Sequence, residues 1–322
     1  MSTSGKRVLL AAPRGYCAGV ERAVEAVERA LTKHGAPVYV RKQIVHNLHV
    51  VHDLEAMGAV FVEELDEVPE GAVAVLSAHG SPPTVFDEAR GRGLELIDAT
   101  CPLVTKVHVE ARRFAADDRT IVLIGHAGHE EVEGTSGQAP DRTVLVQTEA
   151  EARVVDLPTD RPLAYLTQTT LSVDETSQIV RVLQERYPTL EGPPREDICY
   201  ATQNRQDAVK ELVPQVDVLL VIGSKNSSNS NRLAEVAQER GVPGYLVDDE
   251  TEVDPAWLEG ATIVGLTSGA SAPEHLIEQM LAWLAARGFE DVEQVSVAEE
   301  GVRFSLPAGV RQVPLRAVDE RP

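Results

Sequence analysis

The chain is poor in cysteine and contains no long apolar run. Only three of its 322 residues are cysteine and no two form a C-x-x-C pair, so a secreted disulfide framework is not indicated. No run of about 18 apolar residues occurs, which excludes a transmembrane helix. The stretch Val8–Ala12 is too short for a signal-peptide core. We therefore expect a cytoplasmic protein without a membrane partner.

Positive charge is scarce as well. A net charge of −21 argues against a nucleic acid partner, because phosphates normally bind a basic face. The hydrophobic content of 43% and charged content of 25% are those of an ordinary globular protein. A length of 322 residues suggests two or three domains. The overall charge still leaves room for a local anion site in one cleft.

The three cysteines occupy matching places in the sequence. Cys17, Cys101 and Cys199 each follow a strand-like stretch and precede a helical pattern. A polar position follows each after 29, 28 and 28 residues, about the length of one strand–helix–strand unit. These second positions are His46, His129 and Ser227, and a third set follows at His79, Thr169 and Ser271. The spacing predicts three related α/β units.

The alternation of strands and helices predicts an α/β fold with parallel sheets covered on both faces. We expect three similar domains, at residues 13–96, 97–195 and 196–288, the third joined by strand 6–12, followed by a C-terminal segment and tail at 289–322. The predicted strands are Arg7–Ala12, Val38–Val40, Ile44–Val45, Val73–Leu76, Leu94–Ile97, Thr120–Ile124, Val144–Val146, Ala164–Leu166, Val216–Ile222 and, as the last strand, Ile263–Leu266. The tail after Pro307 has little periodicity, and we expect it to be loosely ordered.

Polar loops follow several of these strands, at the sheet edge where parallel sheets bind ligands. The longest, 224–232, comes after Gly223 and directly before a helix, so its amides and hydroxyls suit an anion. A polar loop that only caps the helix is the alternative. The three histidines His46, His79 and His129 would add donors to an anion-binding cleft. Glu131, in a Gly- and His-rich loop, is a candidate acid, with an ordinary surface glutamate as the alternative.

Three chemistries fit the cysteines. They are buried thiols acting as small hydrophobes, a zinc site completed by a histidine, or an iron–sulfur cluster. The lack of close pairs disfavours structural zinc. A four-iron cluster normally takes four cysteines, so a chain with three would leave one iron open for a substrate. The residues alone leave all three open.

Nine stretches between Pro13 and Glu274 together carry a specific resemblance. They are PRGYCAGVERA, VHN, SAHGSP, DATCPLVTKVH, IGHAGHEEVEGT, TQTTLSVDET, CYATQNRQ, GSKNSSNSNRL and SGASAPE. With them the chain resembles the LytB family of 4-hydroxy-3-methylbut-2-enyl diphosphate reductases, which act last in the non-mevalonate isoprenoid pathway.

The resemblance implies a fold, a cofactor and roles for single residues. It implies three α/β domains in a pseudo-threefold trefoil around a [4Fe–4S] cluster on Cys17, Cys101 and Cys199, with one iron open. Glu131 would supply protons, and Thr169 would hydrogen-bond near the substrate hydroxyl. The residues that would hold the substrate's diphosphate are His46, His79, His129, Thr170, Ser227, Ser228, Asn229 and Ser271. Two electrons from ferredoxin or flavodoxin and two protons would remove water, leaving isopentenyl and dimethylallyl diphosphate.

Three rival functions stay open at this point. A cluster-dependent dehydratase would use an open iron without consuming electrons. An iron–sulfur sensor would not need Glu131, Thr169 or the Ser227–Asn229 loop. A plain anion-binding protein would bind diphosphate without iron.

Overall fold

The protein is described by a computed structural model that covers residues 5–314. Within that range no helix is long and apolar enough to cross a membrane. The strands are β1 Lys6–Ala12, β2 Val38–Arg41, β3 Ala59–Val62, β4 Val73–Leu76, β5 Glu95–Asp98, β6 Thr120–Ile124, β7 Thr143–Val146, β8 Leu163–Thr167, β9 Val218–Ile222, β10 Gly244–Val247, β11 Ile263–Ser268 and β12 Phe289–Ser296. The helices are α1 Ala18–His34, α2 Leu48–Ala56, α3 Pro83–Gly91, α4 Pro102–Ala116, α5 Glu130–Ser136, α6 Glu149–Val154, α7 Val173–Arg186, α8 Tyr200–Leu212, α9 Ser228–Glu239 and α10 Glu274–Ala285.

The strands form three sheets. Their orders are β10-β9-β11-β1-β12, β3-β2-β4-β5 and β7-β6-β8. All pairings between the named strands are parallel. Every residue of β6 and of β9 is buried, as expected for strands covered on both faces. The predicted α/β fold with parallel sheets is confirmed.

The chain divides into two compact units. The first holds the chain through Glu21, His46–His52 and Tyr200–Arg303, and the second holds Arg22–Val45, Asp53–Cys199 and the chain from Phe304. The five-stranded sheet belongs to the first unit, and the four- and three-stranded sheets belong to the second. The three domain ranges and their threefold arrangement stay predictions.

In the first unit, β1 lies between β11 and β12 and is buried from both sides. Val8 and Leu10 pack in the cluster that contains the apolar residues of α10. Leu9 and Ala11 pack in the cluster formed with α8 and α9. Because side chains alternate along a strand, one apolar run serves both layers. This packing holds the turn to Cys17 at the carboxyl end of β1.

In the second unit, α4 connects two sheets. The helix follows β5 of the four-stranded sheet, yet its Val107 and Phe114 pack against Ile121 and Leu166 of the three-stranded sheet. Cys101 lies at this crossing, immediately before the first residue of α4. The position of Cys101 is therefore set by the packing of α4 against a sheet other than the one that precedes it. The local sequence pattern indicates only that a helix begins after Cys101.

Several predicted elements need correction. Ile44 and Val45 are buried but lie in a loop, because Lys42 adopts a left-handed backbone (φ 59°) directly after β2. Ile263–Leu266 is not the last strand, since β12 follows it. Most of β12 is exposed, so it has no apolar run to mark it. The short strands β3 and β10 were likewise not predicted.

The segment after Pro307 is also better ordered than expected as far as residue 314. Val310 is fully buried, and its N–H donates to the carbonyl of Pro307. The guanidinium of Arg29 hydrogen-bonds the carbonyl of Val313. The prediction failed because this segment is held by contacts with distant residues rather than by its own periodicity. Residues 315–322 of the predicted tail lie outside the described residues.

Candidate functional site

Each cysteine lies directly before a helix. Cys17 precedes α1, Cys101 is the N-cap of α4, and Cys199 precedes α8. Strands β1 and β5 lead into the first two, as predicted. The predicted strand before Cys199 is wrong, because the chain from α7 to α8 contains no named strand.

In front of Cys199, where a strand was predicted, a side-chain hydrogen bond holds the chain beside β8. Glu191 makes a single bridge with Ala164 of β8. Pro193 and Pro194 follow and cannot donate to a ladder, because proline has no N–H. Further along, the N–H of Thr167 donates to the carboxylate of Asp197 at 3.0 Å. Asp197 thereby holds this segment beside β8 although the ladder is interrupted.

The backbone N–H of each cysteine donates to a carbonyl at the end of another strand. The pairs are Cys17 with Ala270 at 3.1 Å, Cys101 with Ala78 at 2.9 Å and Cys199 with Thr169 at 3.0 Å. Ala270 precedes Ser271 and Ala78 precedes His79, so each acceptor lies in the third polar loop of a predicted unit. The sequence spacing predicted other partners, with the His79 loop in the unit of Cys17, the Thr169 loop in that of Cys101 and the Ser271 loop in that of Cys199. Each cysteine is therefore held by the polar loop of another predicted unit.

Glu131 and Thr169 form a buried polar pair. Glu131 is 4% exposed. Its carboxylate accepts the Thr169 N–H at 2.8 Å, and the Thr169 hydroxyl lies 3.0 Å from both carboxylate oxygens. Burial raises the pKa of Glu131, although the donors on Thr169 and the charge of His79 act in the opposite direction. The alternative of an ordinary surface glutamate is wrong. A carboxyl held in this way can retain a proton and deliver it.

Glu130 stabilises the protonated form of His79. Its Nδ1 lies 3.0 Å from a Glu130 carboxylate oxygen, which also accepts the Ser77 hydroxyl at 3.0 Å. Burial alone would lower the pKa of His79, but the charge and hydrogen bond of Glu130, with the charge of Glu131, raise it above its usual value. The sequence drew attention to Glu131 and not to Glu130, because nothing local shows that Glu130 meets His79.

His129 has the opposite electrostatic character. Its ring stands edge-on to that of His79, with centroids 5.9 Å apart. Its Nδ1 accepts the N–H of Glu131 and so caps α5. Burial, with the positive charge of His79, lowers the pKa of His129 to about 3. The pair therefore combines a ring whose protonated form is stabilised with a neutral ring, whose Nε2 bears the hydrogen because Nδ1 is an acceptor.

The buried His108 packs against both the loop that carries His79 and the helix α5. His108 of α4 is so close to Gly80 and Gly134 that a Cβ on either glycine would lie 2.6 or 3.1 Å from its ring. Burial lowers the pKa of His108 to about 4, so the ring is neutral near pH 7. Gly80 follows His79, and Gly134 lies on α5 with Glu131. His108 thereby fixes the spacing of the two elements.

In the first unit, the long polar loop leads into the capped helix α9, and the side-chain amide of Asn229 on that helix has no partner among the described residues. The Ser227 hydroxyl accepts from the N–H of Ser230 and so caps α9. Asn229 is 4% exposed, yet among the described residues neither its side-chain nitrogen nor its oxygen has a hydrogen-bond partner. Capping alone does not explain such a residue, because an unsatisfied buried amide costs about 1–3 kcal/mol. A polar ligand at this position would satisfy it.

His46 lies next to the same loop. The Ser271 hydroxyl donates to the carbonyl of His46 at 2.9 Å, and the Asn226 amide lies 3.3 Å from the His46 ring. The Ser224 hydroxyl accepts the N–H of Leu48 at 3.0 Å. Residues 46–48 are thus attached to both loops, which brings His46, Ser227, Asn229 and Ser271 into one neighbourhood of the first unit.

The predicted residues thus form one group in each unit. The first unit contains Cys17, His46, Ser227, Ser228, Asn229 and Ser271, and the second contains Cys101, Cys199, His79, His129, Glu131, Thr169 and Thr170. The Thr170 hydroxyl accepts from the Gln168 amide at 2.9 Å. Sequence reasoning missed Gln168, Glu130 and Asp197. Only the polarity of their loops could have indicated them.

The cysteines present a donor set that fits an iron–sulfur cluster. None is in a disulfide. Each stands at a helix start, where the helix dipole favours negative charge on a thiolate. Their backbones are fixed by hydrogen bonds from loops that also carry the polar site residues. Three preorganised sulfurs without a close pair suit a cluster with an open iron better than a structural zinc site.

Comparison with known sequences gives one consistent result. The family model described as LytB protein matches residues 8–285. The 4-hydroxy-3-methylbut-2-enyl diphosphate reductase of Burkholderia pseudomallei is 60% identical, over 97% of this chain and 100% of the relative. The protein of the same name from Leifsonia xyli is 59% identical, over 98% of this chain and 94% of the relative.

Two solved structures share the fold. The E-1-hydroxy-2-methyl-but-2-enyl-4-diphosphate reductase from Plasmodium falciparum matches with a TM-score of 0.92 and 38% identity, over 95% of this chain and 97% of that one. A structure of (E)-4-hydroxy-3-methyl-but-2-enyl diphosphate reductase, described as the terminal enzyme of the non-mevalonate pathway, matches with a TM-score of 0.62 and 32% identity. It covers 87% of this chain and 99% of that one.

Proposed function

Because the chain belongs to the LytB protein family, we propose that it catalyses the reaction for which its relatives are named. That reaction is the reductive dehydroxylation of 4-hydroxy-3-methylbut-2-enyl diphosphate. One substrate, two electrons and two protons give one water and isopentenyl or dimethylallyl diphosphate. The observation that carries this proposal is the buried Glu131–Thr169 pair, whose Thr169 carbonyl also accepts the N–H of Cys199.

We further propose that Cys17, Cys101 and Cys199 hold a [4Fe–4S] cluster with one open iron. When bound, the cluster supplies single electrons and a Lewis-acidic iron, chemistry that no side chain provides. Ferredoxin or flavodoxin would deliver the electrons. The cytoplasmic location expected from the sequence stays a prediction.

Glu131 is the proton donor in this proposal. Burial raises its pKa, so the carboxyl keeps its proton to higher pH than an exposed glutamate does. Thr169 fixes the carboxyl through two groups, its N–H and its hydroxyl. A general acid held in a low-dielectric site can protonate a poor leaving group such as hydroxide as it departs.

The diphosphate end would be bound by the histidines and the capped loop. His79 offers positive charge, and His129 offers a neutral N–H. The unpartnered Asn229 amide offers a donor that the fold itself leaves unused. The remaining proposed contacts are His46, Thr170, Ser227, Ser228 and Ser271. Most of these donors are neutral, so a chain with a net charge of −21 can bind a diphosphate without a basic patch.

Anaerobic turnover with a chemically reduced viologen dye tests the function. The proposal predicts oxidation of two dye molecules per substrate, because two one-electron transfers accompany each loss of water. Isopentenyl and dimethylallyl diphosphate should appear in step with dye oxidation. If iron-replete protein consumes the substrate without oxidising dye, the chain is a dehydratase. If it consumes neither, the sensor reading is favoured.

The pH dependence should follow His79. Its pKa is raised, so the charge that attracts the diphosphate is present below that pKa and is lost as pH rises through it. Glu130→Gln removes the partner that raises the pKa and leaves the opposing effect of burial. We therefore expect kcat/KM to fall at lower pH in this variant than in the wild type. Profiles between about pH 6 and 9 measure this.

The matched control for this profile is Glu133→Gln. Glu133 is an exposed acid on the same helix, α5, so its removal changes the net charge equally. An equal displacement of the profile in both variants would contradict the assignment to His79.

Asn229→Ala should separate binding from stability. Its amide has no partner within the described residues, so we expect the free energy of unfolding to stay within about 1 kcal/mol of the wild-type value. If the amide binds the diphosphate, KM should rise by about tenfold, which corresponds to one lost hydrogen bond to a charged group. Steady-state kinetics and urea unfolding measure the two effects.

Asn231→Ala is the matched control. The Asn231 amide donates to the carbonyls of Lys225 and Ser227, both at 2.8 Å. This variant should therefore lose stability, by about 1 kcal/mol. An unchanged KM in Asn229→Ala would rule out the amide as a diphosphate contact.

A further inference from the structure

The backbone before Cys199 is held by a lysine on another element. Lys106 Nζ donates to the carbonyls of Arg195 and Glu196 at 2.6 and 2.7 Å, and it lies 3.0 Å from the carboxylate of Asp197. The side chain of Asp197 is fully buried, whereas that of Lys106 is 27% exposed. Three contacts to consecutive residues fix the path of the chain two residues before Cys199.

Arg22 holds the backbone before Cys101 in the same way. Its Nη1 donates to the carbonyls of Ala99 and Thr100 at 2.9 and 3.0 Å, and its Nε donates to the carbonyl of Ser305 at 2.8 Å. Ala99 and Thr100 immediately precede Cys101. The guanidinium therefore satisfies two consecutive carbonyls directly before the cysteine.

Arg205 does the same before Cys17. Its Nη2 donates to the carbonyl of Gly15 at 2.6 Å, and its Nη1 donates to the carbonyl of Ala201 at 2.9 Å. The Arg205 side chain is fully buried and is paired with Glu300 at 3.0 Å. Burying a guanidinium is costly unless it is paired, and Arg205 is paired with Glu300, although its Nε has no partner within the described residues.

We propose that Lys106, Arg22 and Arg205 are positioning residues for the three cysteine ligands of the cluster. Each is a cation on an element other than the one it holds, and each donates to carbonyls between one and four residues before a cysteine. The inference rests on the proposed function, because it concerns the cluster that the cysteines are proposed to hold. Lys106 also lies on α4, which begins after Cys101, so one side chain couples two cysteine segments.

Two consequences follow from the chemistry. Because the backbone is already fixed, the thiolate can bind the cluster without a loss of chain entropy. Removing one of the three cations should therefore weaken retention of the cluster. A nearby positive charge favours the added electron, so losing it should make the reduction potential more negative.

The test uses the anaerobically purified holoenzyme and three variants. They are Arg22→Gln, Lys106→Met and the conservative Lys106→Arg. The matched control is Arg113→Met, which removes a cation of α4 that pairs with Glu110 on the same helix. The measurements are iron per chain, the electron paramagnetic resonance spectrum of the reduced cluster, and its reduction potential by dye-linked titration.

We expect less iron and a more negative potential for Arg22→Gln and Lys106→Met, recovery of both in Lys106→Arg, and wild-type values for the control. Folded, iron-replete variants with the wild-type spectrum and potential would overturn the inference while the proposed function stands. Wild-type protein that binds no cluster would overturn both. If Lys106→Met does not fold because Asp197 is left unpaired, Arg22→Gln decides, since Arg22 is partly exposed.

Discussion

Replacing Glu131 by glutamine should lower kcat by about 10²–10⁴-fold, the range for loss of a general acid. Glutamine keeps the shape of the side chain and can still accept from the Thr169 N–H, but it has no proton to deliver. The cluster should be retained, because Glu131 is not among its proposed ligands. Single-turnover kinetics with the reduced holoenzyme, together with iron content, measure both effects.

The stability of this variant gives an independent check with a definite sign. The pKa of Glu131 is raised in the folded protein, so the fold favours the protonated acid. That contribution is present at pH values below the unfolded pKa and is lost as pH rises through the folded one. Glutamine cannot ionise. The variant should therefore lose less stability than the wild type as pH rises through this window.

Glu133→Gln is the control for Glu131→Gln, because Glu133 is exposed on the same helix. Thr169→Val is a second comparison. It removes the hydroxyl that lies 3.0 Å from both carboxylate oxygens while keeping the N–H contact, and a smaller loss of kcat is expected. Full turnover in Glu131→Gln would remove this residue from the mechanism and favour the sensor reading.

Replacing any one cysteine by serine should reduce turnover to background. Three thiolates on a four-iron cluster leave one iron open, so the proposed site has no spare ligand. Serine is a poor substitute for a thiolate on iron. The variants should be colourless or retain only a fraction of the wild-type iron. Absorbance, iron and sulfide content, and the dye-linked assay measure these losses.

Cysteine-to-alanine variants distinguish this prediction from the reading of buried thiols. As small hydrophobes, the cysteines should tolerate alanine at a cost of about 1 kcal/mol, with no change of colour. As ligands, they should lose the cluster with alanine as completely as with serine. Wild-type iron content in an alanine variant would remove that cysteine from the proposed set.

Local pattern predicted much of the secondary structure. β4 and β6 have the predicted bounds, and β1, β2, β7, β8, β9 and β11 differ from them by a few residues at most. Most of their apolar residues are buried, so the signal is strong within a few residues of chain. The edge strand β12 was missed for the same reason, since its exposed residues carry no such signal.

The sequence by itself determined which residue types are available and where along the chain they stand. The strands before Cys17 and Cys101, the helix after each cysteine, the parallel α/β fold and the polar residues after the strands were all readable from it. These features depend on spacing and composition, which are local properties of the chain. The family resemblance rests on the same local strings.

Only the tertiary structure decided which groups meet. Cys17 is held by Ala270, 253 residues away, and Lys106 is held beside Asp197 by packing between α4 and a different sheet. The opposite pKa shifts of His79 and His129 likewise depend on burial and on Glu130. Hydrogen bonds and charges act through space, and folding brings together residues that no local pattern connects.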